Sequence, residues 1–459
     1  MKKSTASVLT TLLLLAAASG AHAAGTGAEN LQLPEDALPQ LKPLLEQAMQ
    51  QSPKVLERNL DLVQAEADGY MARAASLPSV GGYVNYQRQK ETVTGITTSG
   101  AGERFSYNAS INQSVWQWGA LEASRKISRI DQELARMNYG SAYRALAAEI
   151  RSAYLGLVMQ KMALRNTQYS AKLAQENIVR QQARYSANQI TYGEIMTHQL
   201  RVDEASLAMR RAKSDLEFAL SSFRSLCGDI ALAEADLPDS IGDFTQAPVV
   251  DEVLASSATD ATEAVQMAER EVEKAKLGRV GPRYGLFPKI GLTAGASRDQ
   301  TTRDYLVNND VVTNRYQTDT LYVGTQINWM IFDGMANKGA RLAALTRLRR
   351  AEQKLANVRL TTARNLERDR ANVGLTWDAY QVAQMRLRMA REALAHQRDE
   401  AGRGLVSQEQ IDASQGNVFG NQYYAQGALA THLNATVQYL SDKGMDPVGR
   451  SAVQARSHN

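Results

Sequence analysis

Histidine, cysteine and clustered acids are where chemistry would begin, and this sequence is sparing with the first two. Five histidines and one cysteine occur in 459 residues. His22 lies in the N-terminal leader, while His198, His396, His432 and His458 stand in no spacing that brings ring nitrogens together on a metal. Neither a glycine-rich phosphate loop nor a Gly-x-Ser-x-Gly elbow is present. The sequence therefore predicts no catalytic residue, no cofactor and no metal. Cys227 follows Leu216, Leu220 and Phe223 along a helical stretch and reads as a buried bystander. A formal net charge of +4 gives no reason to invoke nucleic acid. The polar residues left to consider sit in two short breaks, ANQITYGE (187–194) and GRGLVSQE (402–409), each interrupting a long helical pattern.

The start of the chain sets the compartment. Lys2 and Lys3 precede an apolar run from Val8 to Ala18, and Ala21-His22-Ala23 offers small residues where a signal peptidase cuts. Residues 1–23 are thus expected to be a secretory signal; the apolar run is well short of the ~20 residues a spanning helix needs. The only thiol lies far from the cleavage site, so no lipidated N-terminal cysteine is expected. No other run is long enough to span as a helix, which leaves a soluble exported chain or one that spans an outer membrane as strands.

Internal repetition decides the architecture. An ungapped offset of 216 residues pairs Ile111 with Ile327, Trp116 with Phe332, Arg125 with Arg341, Gln181 with Gln397, Thr191 with Ser407 and Gly228 with Gly444. Upstream, Leu77-Pro78 matches Phe287-Pro288 at an offset of 210, which puts a six-residue insertion between Pro288 and Tyr322. The expected organisation is repeat 1 over 24–228, a linker or equatorial segment over 229–250, repeat 2 over 251–445 and a C-terminal tail over 446–459. Each repeat holds two alternating runs, read as strands at about 79–89 and 104–117, then 289–298 and 320–332. The polar stretches 90–104 and 299–319 read as long solvated loops.

After each strand pair comes a proline-free stretch with apolar residues at three- and four-residue steps: Leu146, Ile150, Tyr154, Leu157 and Leu164, then Val373, Trp377, Tyr380, Leu387 and Leu394. At 1.5 Å per residue such a helix reaches ~100 Å. Helical hairpins are expected over about 120–228, with the tip at 188–194, and about 335–445, with the tip at 403–410. Four strands cannot close a barrel in lipid, since the smallest closed ones need ~8. Two chains would supply eight strands and three would supply twelve, enough to enclose water; a wide helical tube favours three. Trp116, Trp118, Trp329 and Phe332 fall where an interfacial aromatic girdle belongs. Trp118 stands where the second copy has Gly334, so the two strand-to-helix corners need not share a geometry.

The doubled order of Leu-Pro or Phe-Pro strand start, INQSVWQWG or INWMIFDGM strand end, and NQITYGEI or GLVSQEQI break resembles the TolC-type outer-membrane efflux and secretion channels over nearly all of the mature chain. The resemblance implies a mixed fold of α-helix and transmembrane β, a homotrimer with a shared twelve-stranded barrel, and coiled-coil hairpins forming a periplasmic tube. It implies docking to a periplasmic adaptor and an inner-membrane ABC or RND transporter, in contact with outer-membrane lipid. By the same resemblance Asn188, Thr191, Gly193 and Glu194, with Gly404, Val406 and Ser407, would be adaptor-contacting tips, Val406 replacing an arginine common in the family. Glu409, Gln410 and Asp412 would stand at the entrance constriction; equally, Glu409 and Asp412 read as ordinary first-turn acids favoured by the helix dipole. The expected function is a passive conduit for type I protein secretion or for efflux of drugs and other small molecules, the unlipidated N-terminus tilting towards secretion. The alternative is a coiled-coil scaffold without transport activity, with Arg347, Arg349, Arg350 and Lys354 as a binding patch or a solvated face.

Overall fold

A computed structural model describes residues 31–92, 99–242, 244, 260, 262–307 and 310–448. The expected signal segment, the end of the linker and most of the tail lie outside the described residues. In chain order the main elements are α1 (Leu41–Gln51), α2 (Pro53–Ala74), β1 (Ser79–Thr92), β2 (Ser99–Trp116), α3 (Ala120–Ser186) and α4 (Tyr192–Cys227). They recur as α5 (Glu263–Leu277), β3 (Lys289–Val307), β4 (Asp310–Asn328), α6 (Ala336–Gly402) and α7 (Gln408–Lys443). The duplication is visible in the lengths: α3 and α6 have 67 residues each, α4 and α7 have 36 each.

The strands form one antiparallel sheet in the order β1-β2-β3-β4, which leaves β1 and β4 as edges. Ser79 pairs with Asn112 and Lys289 with Asn328, positions related by the offsets of 210 and 216, so the register is the same in both repeats. The six inserted residues therefore lengthen the β3–β4 hairpin without shifting its base.

The strands are longer than the sequence suggests. The stretches read as loops, 90–104 and 299–319, continue the ladder through Thr92↔Ser99 and Val307↔Asp310. Alternation disappears there because both faces of the arm are polar, while the hydrogen-bonded ladder needs no apolar face. Ion pairs lace this region: Arg104 to Asp299 (Nε to Oδ2 2.8 Å) and Arg298 to Asp319, which stand opposite each other in the register (2.9 Å). At the other end, β4 stops at Asn328 rather than at 332. Its partner β3 begins only after Pro288, which has no N–H to offer, so Trp329 to Phe332 have no ladder to join.

The strand-to-helix corners, expected to be free to differ, are alike. Trp118 (φ 53°) and Gly119 (φ 80°) are left-handed, and so are Gly334 (φ 64°) and Met335 (φ 76°) at the equivalent positions. Each corner carries one glycine and forces one bulky residue into the left-handed region, in opposite order.

The helical seams fall where the periodicity puts them: Leu146, Ile150, Tyr154, Leu157 and Leu164 are buried, as are Val373, Trp377, Tyr380, Leu387 and Leu394. The largest apolar cluster gathers the middle of α3, the end of α4, α1 and the segment Ile230–Ile241, together with Trp377, Leu429 and Leu433 of the second hairpin. Burial of a Leu, Ile or Phe side chain contributes roughly 1.5–3 kcal/mol, so this belt is the main apolar anchorage between the repeats. Among the described residues no helix is long and apolar enough to cross a membrane.

Candidate functional site

Both hairpin tips are built by the same local chemistry. After α3 the chain turns through Asn188 (φ 55°), with Gln189 N donating to Arg184 O at 2.9 Å. After α6 it turns through Gly404 (φ 75°), with Leu405 N donating to Glu400 O at 3.0 Å. Each returning helix then opens on a reciprocal cap. Thr191 Oγ1 accepts from Glu194 N (3.3 Å), while the Glu194 carboxylate accepts from Thr191 N (2.7 Å) and its hydroxyl (2.9 Å). Those hydrogen bonds, the backbone one first, hold the Glu194 carboxyl below the usual carboxylate range. Ser407 and Gln410 repeat the arrangement at 3.4 Å and 3.0 Å. Thr191→Ala and Ser407→Ala are each expected to cost about 1 kcal/mol of local helix stability, seen as faster amide exchange in the first turn of α4 or α7.

Other tip residues present apolar surface. Gly193 faces open space and Val406 is half-buried, but Tyr192 and Leu405 are 66% and 73% exposed. Sequence reading did not single out these two; Tyr192 follows the cap residue Thr191 and Leu405 follows Gly404, and the folded turn leaves both largely open, the Tyr192 ring tilted towards Tyr185.

Of the residues expected at a constriction, Glu409 and Asp412 are brought together with the other hairpin and Gln410 is not. Gln410 is held in the Ser407 cap. Gln181 Nε2 donates to Glu409 Oε1 at 3.1 Å, and the Arg180 guanidinium lies 3.3 Å from Asp412 Oδ2. Gln408 adds a 2.9 Å bond to Asp412, and Arg184 donates to Gln181 Oε1 at 3.3 Å. The acids are therefore more than first-turn dipole partners, since they tie α7 to α3 near the tips. A cavity of about 310 Å³ lies beside them, lined in part by Ser170, Arg180, His198, Arg201, Glu409 and Asp412. Sequence reading missed Arg180 and Gln181 as partners, because nothing local marks a contact with a residue 228 or 232 positions away. Among the described residues no group of three or more His, Cys, Asp or Glu is placed to hold a metal ion.

At the far end the sheet has one apolar and one polar face. In register, Val80, Ile111, Ala294 and Val323 form one row across all four strands, flanked by Val84 and Tyr107 on one side and by Leu292 on the other. The opposite face carries Asn108, Ser110, Thr293, Gly295, Ser297 and Tyr322. Near the corners, the Trp118 indole donates to Pro288 O (2.7 Å) and stacks on Tyr284, with Phe287 and Trp116 edge-on. Trp329 donates to Leu286 O at 3.0 Å, so two indoles clasp the turn before β3 while Trp116 and Phe332 project outward.

An apolar outer face, a polar inner face and helical hairpins tens of ångströms long define a class: a wall segment of an outer-membrane channel. The chain belongs to the outer membrane efflux protein family, whose profile matches residues 44–229 and 254–439, one match per repeat. No curated protein matches the sequence. In fold the chain is similar to the Campylobacter jejuni CmeC outer membrane channel, with TM-score 0.70, 13% identity, and 91% of this chain and 89% of that one covered. It is also similar to Vibrio cholerae VceC (TM-score 0.68, 13% identity, 91% and 100% covered). The Neisseria gonorrhoeae MtrE channel in its open state gives TM-score 0.65 at 17% identity, with 88% and 89% covered. The protein is thus an outer membrane efflux protein by family, with the fold of outer-membrane channels, rather than an enzyme.

Proposed function

We propose that the protein is the passive exit duct of a tripartite efflux system, working as a homotrimer whose three sheets close a twelve-stranded barrel. The observation that carries this reading is the four-stranded sheet with two open edges and an apolar face, which lipid does not tolerate unless other copies close it. Its polar face then lines a water-filled lumen. The tips, with Thr191, Glu194 and Ser407 capped and Tyr192 and Leu405 exposed, are the surface offered to a periplasmic adaptor, and an inner-membrane pump supplies the energy. Trp116, Trp329 and Phe332 stand at the membrane interface, with Trp118 behind them. Light scattering on the detergent-extracted protein is expected to give a trimer; a monodisperse monomer would sink the reading. Deleting the gene is expected to raise sensitivity to small toxic compounds, whereas loss of one exported protein alone would favour the secretion reading.

In this reading the Arg180–Asp412 and Gln181–Glu409 ties hold the periplasmic end shut, and opening separates α7 from α3. Arg180→Ala should weaken the closed form by about 1 kcal/mol, a roughly fivefold shift towards open. The measurement is conductance in a planar bilayer, expected to rise in Arg180→Ala and Asp412→Ala alike. An unchanged conductance in both would remove the ties from the gate.

A further inference from the structure

The two repeats differ in chemistry at one place in the wall. Where the start of α2 meets the middle of α3 and the end of α4, the chain leaves a recess of about 720 Å³. Its walls are mainly apolar, with Leu157, Phe223 and Leu226 inside and the Phe218 ring, 76% exposed, at the rim. Two small residues of α3, Ala153 and Gly156, make the room; a carbon added at Gly156 would meet nothing within 4 Å. In repeat 2 the offset of 216 puts Asp369 for Ala153, Asn372 for Gly156, Thr376 for Gln160 and Asp442 for Leu226. These polar groups take partners: Arg368 reaches Asp369 at 3.0 Å, Thr376 Oγ1 lies 3.2 Å from His432 Nδ1, and Gln438 donates to Asp442 at 3.0 Å. One repeat furnishes the place with bonded polar side chains, the other with apolar and small ones.

Two polar atoms remain in the apolar version, and neither has a hydrogen-bond partner among the described residues. Ser52 stands at the N-cap of α2, its carbonyl accepting from Val55 N and Leu56 N at 3.1 Å. A serine there ordinarily turns its hydroxyl back onto the first turn of the helix. Here Oγ makes no capping bond, and the residue lies at the floor of the recess, 0% exposed. Gln160 Oε1 is buried in the same recess and equally unpaired. Buried polar atoms are as a rule hydrogen-bonded, so two orphans in one recess mark a place for a ligand that satisfies them. At the mouth Lys54 and Glu149 pair at 2.6 Å, and their balanced charges ask for none on the ligand.

We propose that this recess binds a small, uncharged, mainly apolar molecule bearing a hydroxyl or amine hydrogen, which it donates to Gln160 Oε1 or Ser52 Oγ. Its volume falls in the range of sites for drug-sized ligands. The side on which it opens rests on the efflux-duct reading above. Glu149 and Ala153 stand two residues either side of Arg151, roughly 200° around the helix, so the recess lies on the face of α3 turned away from Arg151. The Arg151 face carries Glu35 and Asp446 with the terminal segments that bear them. A duct with a wall one helix thick stays open only if those segments lie outside it. The recess then opens to the lumen, once in each copy, where an apolar compound pauses on its way out.

The test uses the full chain, held in amphipol so that no free detergent competes, and N-phenyl-1-naphthylamine, an uncharged aromatic amine that brightens in apolar surroundings. Wild type is expected to bind the dye saturably, one molecule per chain. Gly156→Leu, which fills the recess from the helix, is expected to abolish the saturable part, and Asn372→Leu at the equivalent place in repeat 2 to leave it unchanged. Ser52→Ala and Gln160→Leu are each expected to weaken binding about fivefold without lowering the thermal midpoint, since each removes an orphan rather than a bonded group. Saturable binding that survives Gly156→Leu overturns the site, and so does its absence from wild type, the result if a neighbouring copy fills the recess; the duct reading stands in both cases. A wild-type protein that binds the dye in a Gly156→Leu-sensitive way but stays monomeric overturns the duct reading and the lumenal placement, while the site stands.

Discussion

Arg151→Ala is expected to cost ~3–5 kcal/mol, the range for removing one partner from a buried ionic cluster and leaving the others uncompensated. Arg151 is 0% exposed in the middle of α3, inside the apolar belt. Its guanidinium binds Glu35 (Nε to Oε1 2.8 Å) and Asp446, which is also fully buried and accepts from Val448 N at 3.0 Å. The three residues come from the start of the first repeat, from its middle, and from just after the second, so the cluster fastens both ends of the described chain to one long helix. Alanine would strand two carboxylates and cut those ends loose. The measurement is thermal unfolding of the detergent-solubilised protein, with limited proteolysis to locate the loosening near Glu35 and Asp446. Arg151→Met combined with Asp446→Leu should be less damaging than Arg151→Met alone, because the double change removes one of the stranded charges. A single-variant cost below about 1 kcal/mol would mean that water reaches the cluster and the belt is not dry.

Gly228→Ala should be far more costly than Gly444→Ala, although the two glycines are repeat equivalents that cap α4 and α7 with left-handed backbone (φ 84° and 73°). A methyl group at Gly444 meets nothing within 4 Å, so only the backbone penalty applies, about 1 kcal/mol. At Gly228 the added carbon would lie 2.6 Å from Gln51 O and 2.8 Å from Gln51 C. That is backbone, which cannot swing aside, so the end of α1 must move and about 1–3 kcal/mol of overpacking adds to the backbone penalty. Chemical denaturation of the two variants side by side is expected to show the asymmetry. Equal losses would mean that α1 is not pressed against the end of α4.

Much of the fold is legible because its signals are short in range. The breaks at 187–194 and 402–409 mark the two reversals, whereas the caps within a turn of them, Thr191 with Glu194 and Ser407 with Gln410, read from the sequence instead as adaptor-contacting and constriction residues. The apolar spacing of Leu146, Ile150, Tyr154 and Leu157 fixes which face of α3 is buried. The strands were under-read for the same reason: a ladder such as Arg298↔Asp319 leaves no alternation when both faces are wet. The corner at Trp118-Gly119 was read as free to differ from Gly334-Met335, since a shifted glycine looks like a different turn until the backbone angles are seen.

The site divides along the same line. The sequence by itself determined the duplication, the places where the hairpins reverse, and the strand pairs too few to close alone, because each is encoded by neighbours within a turn, a pleat or a fixed repeat offset. Only the tertiary structure decided that Asp412 meets Arg180, that Trp118 clasps Pro288, and that Arg151 joins Glu35 and Asp446. Those contacts join residues 116 to 295 positions apart, where helix packing sets the distance and no periodicity records the partner.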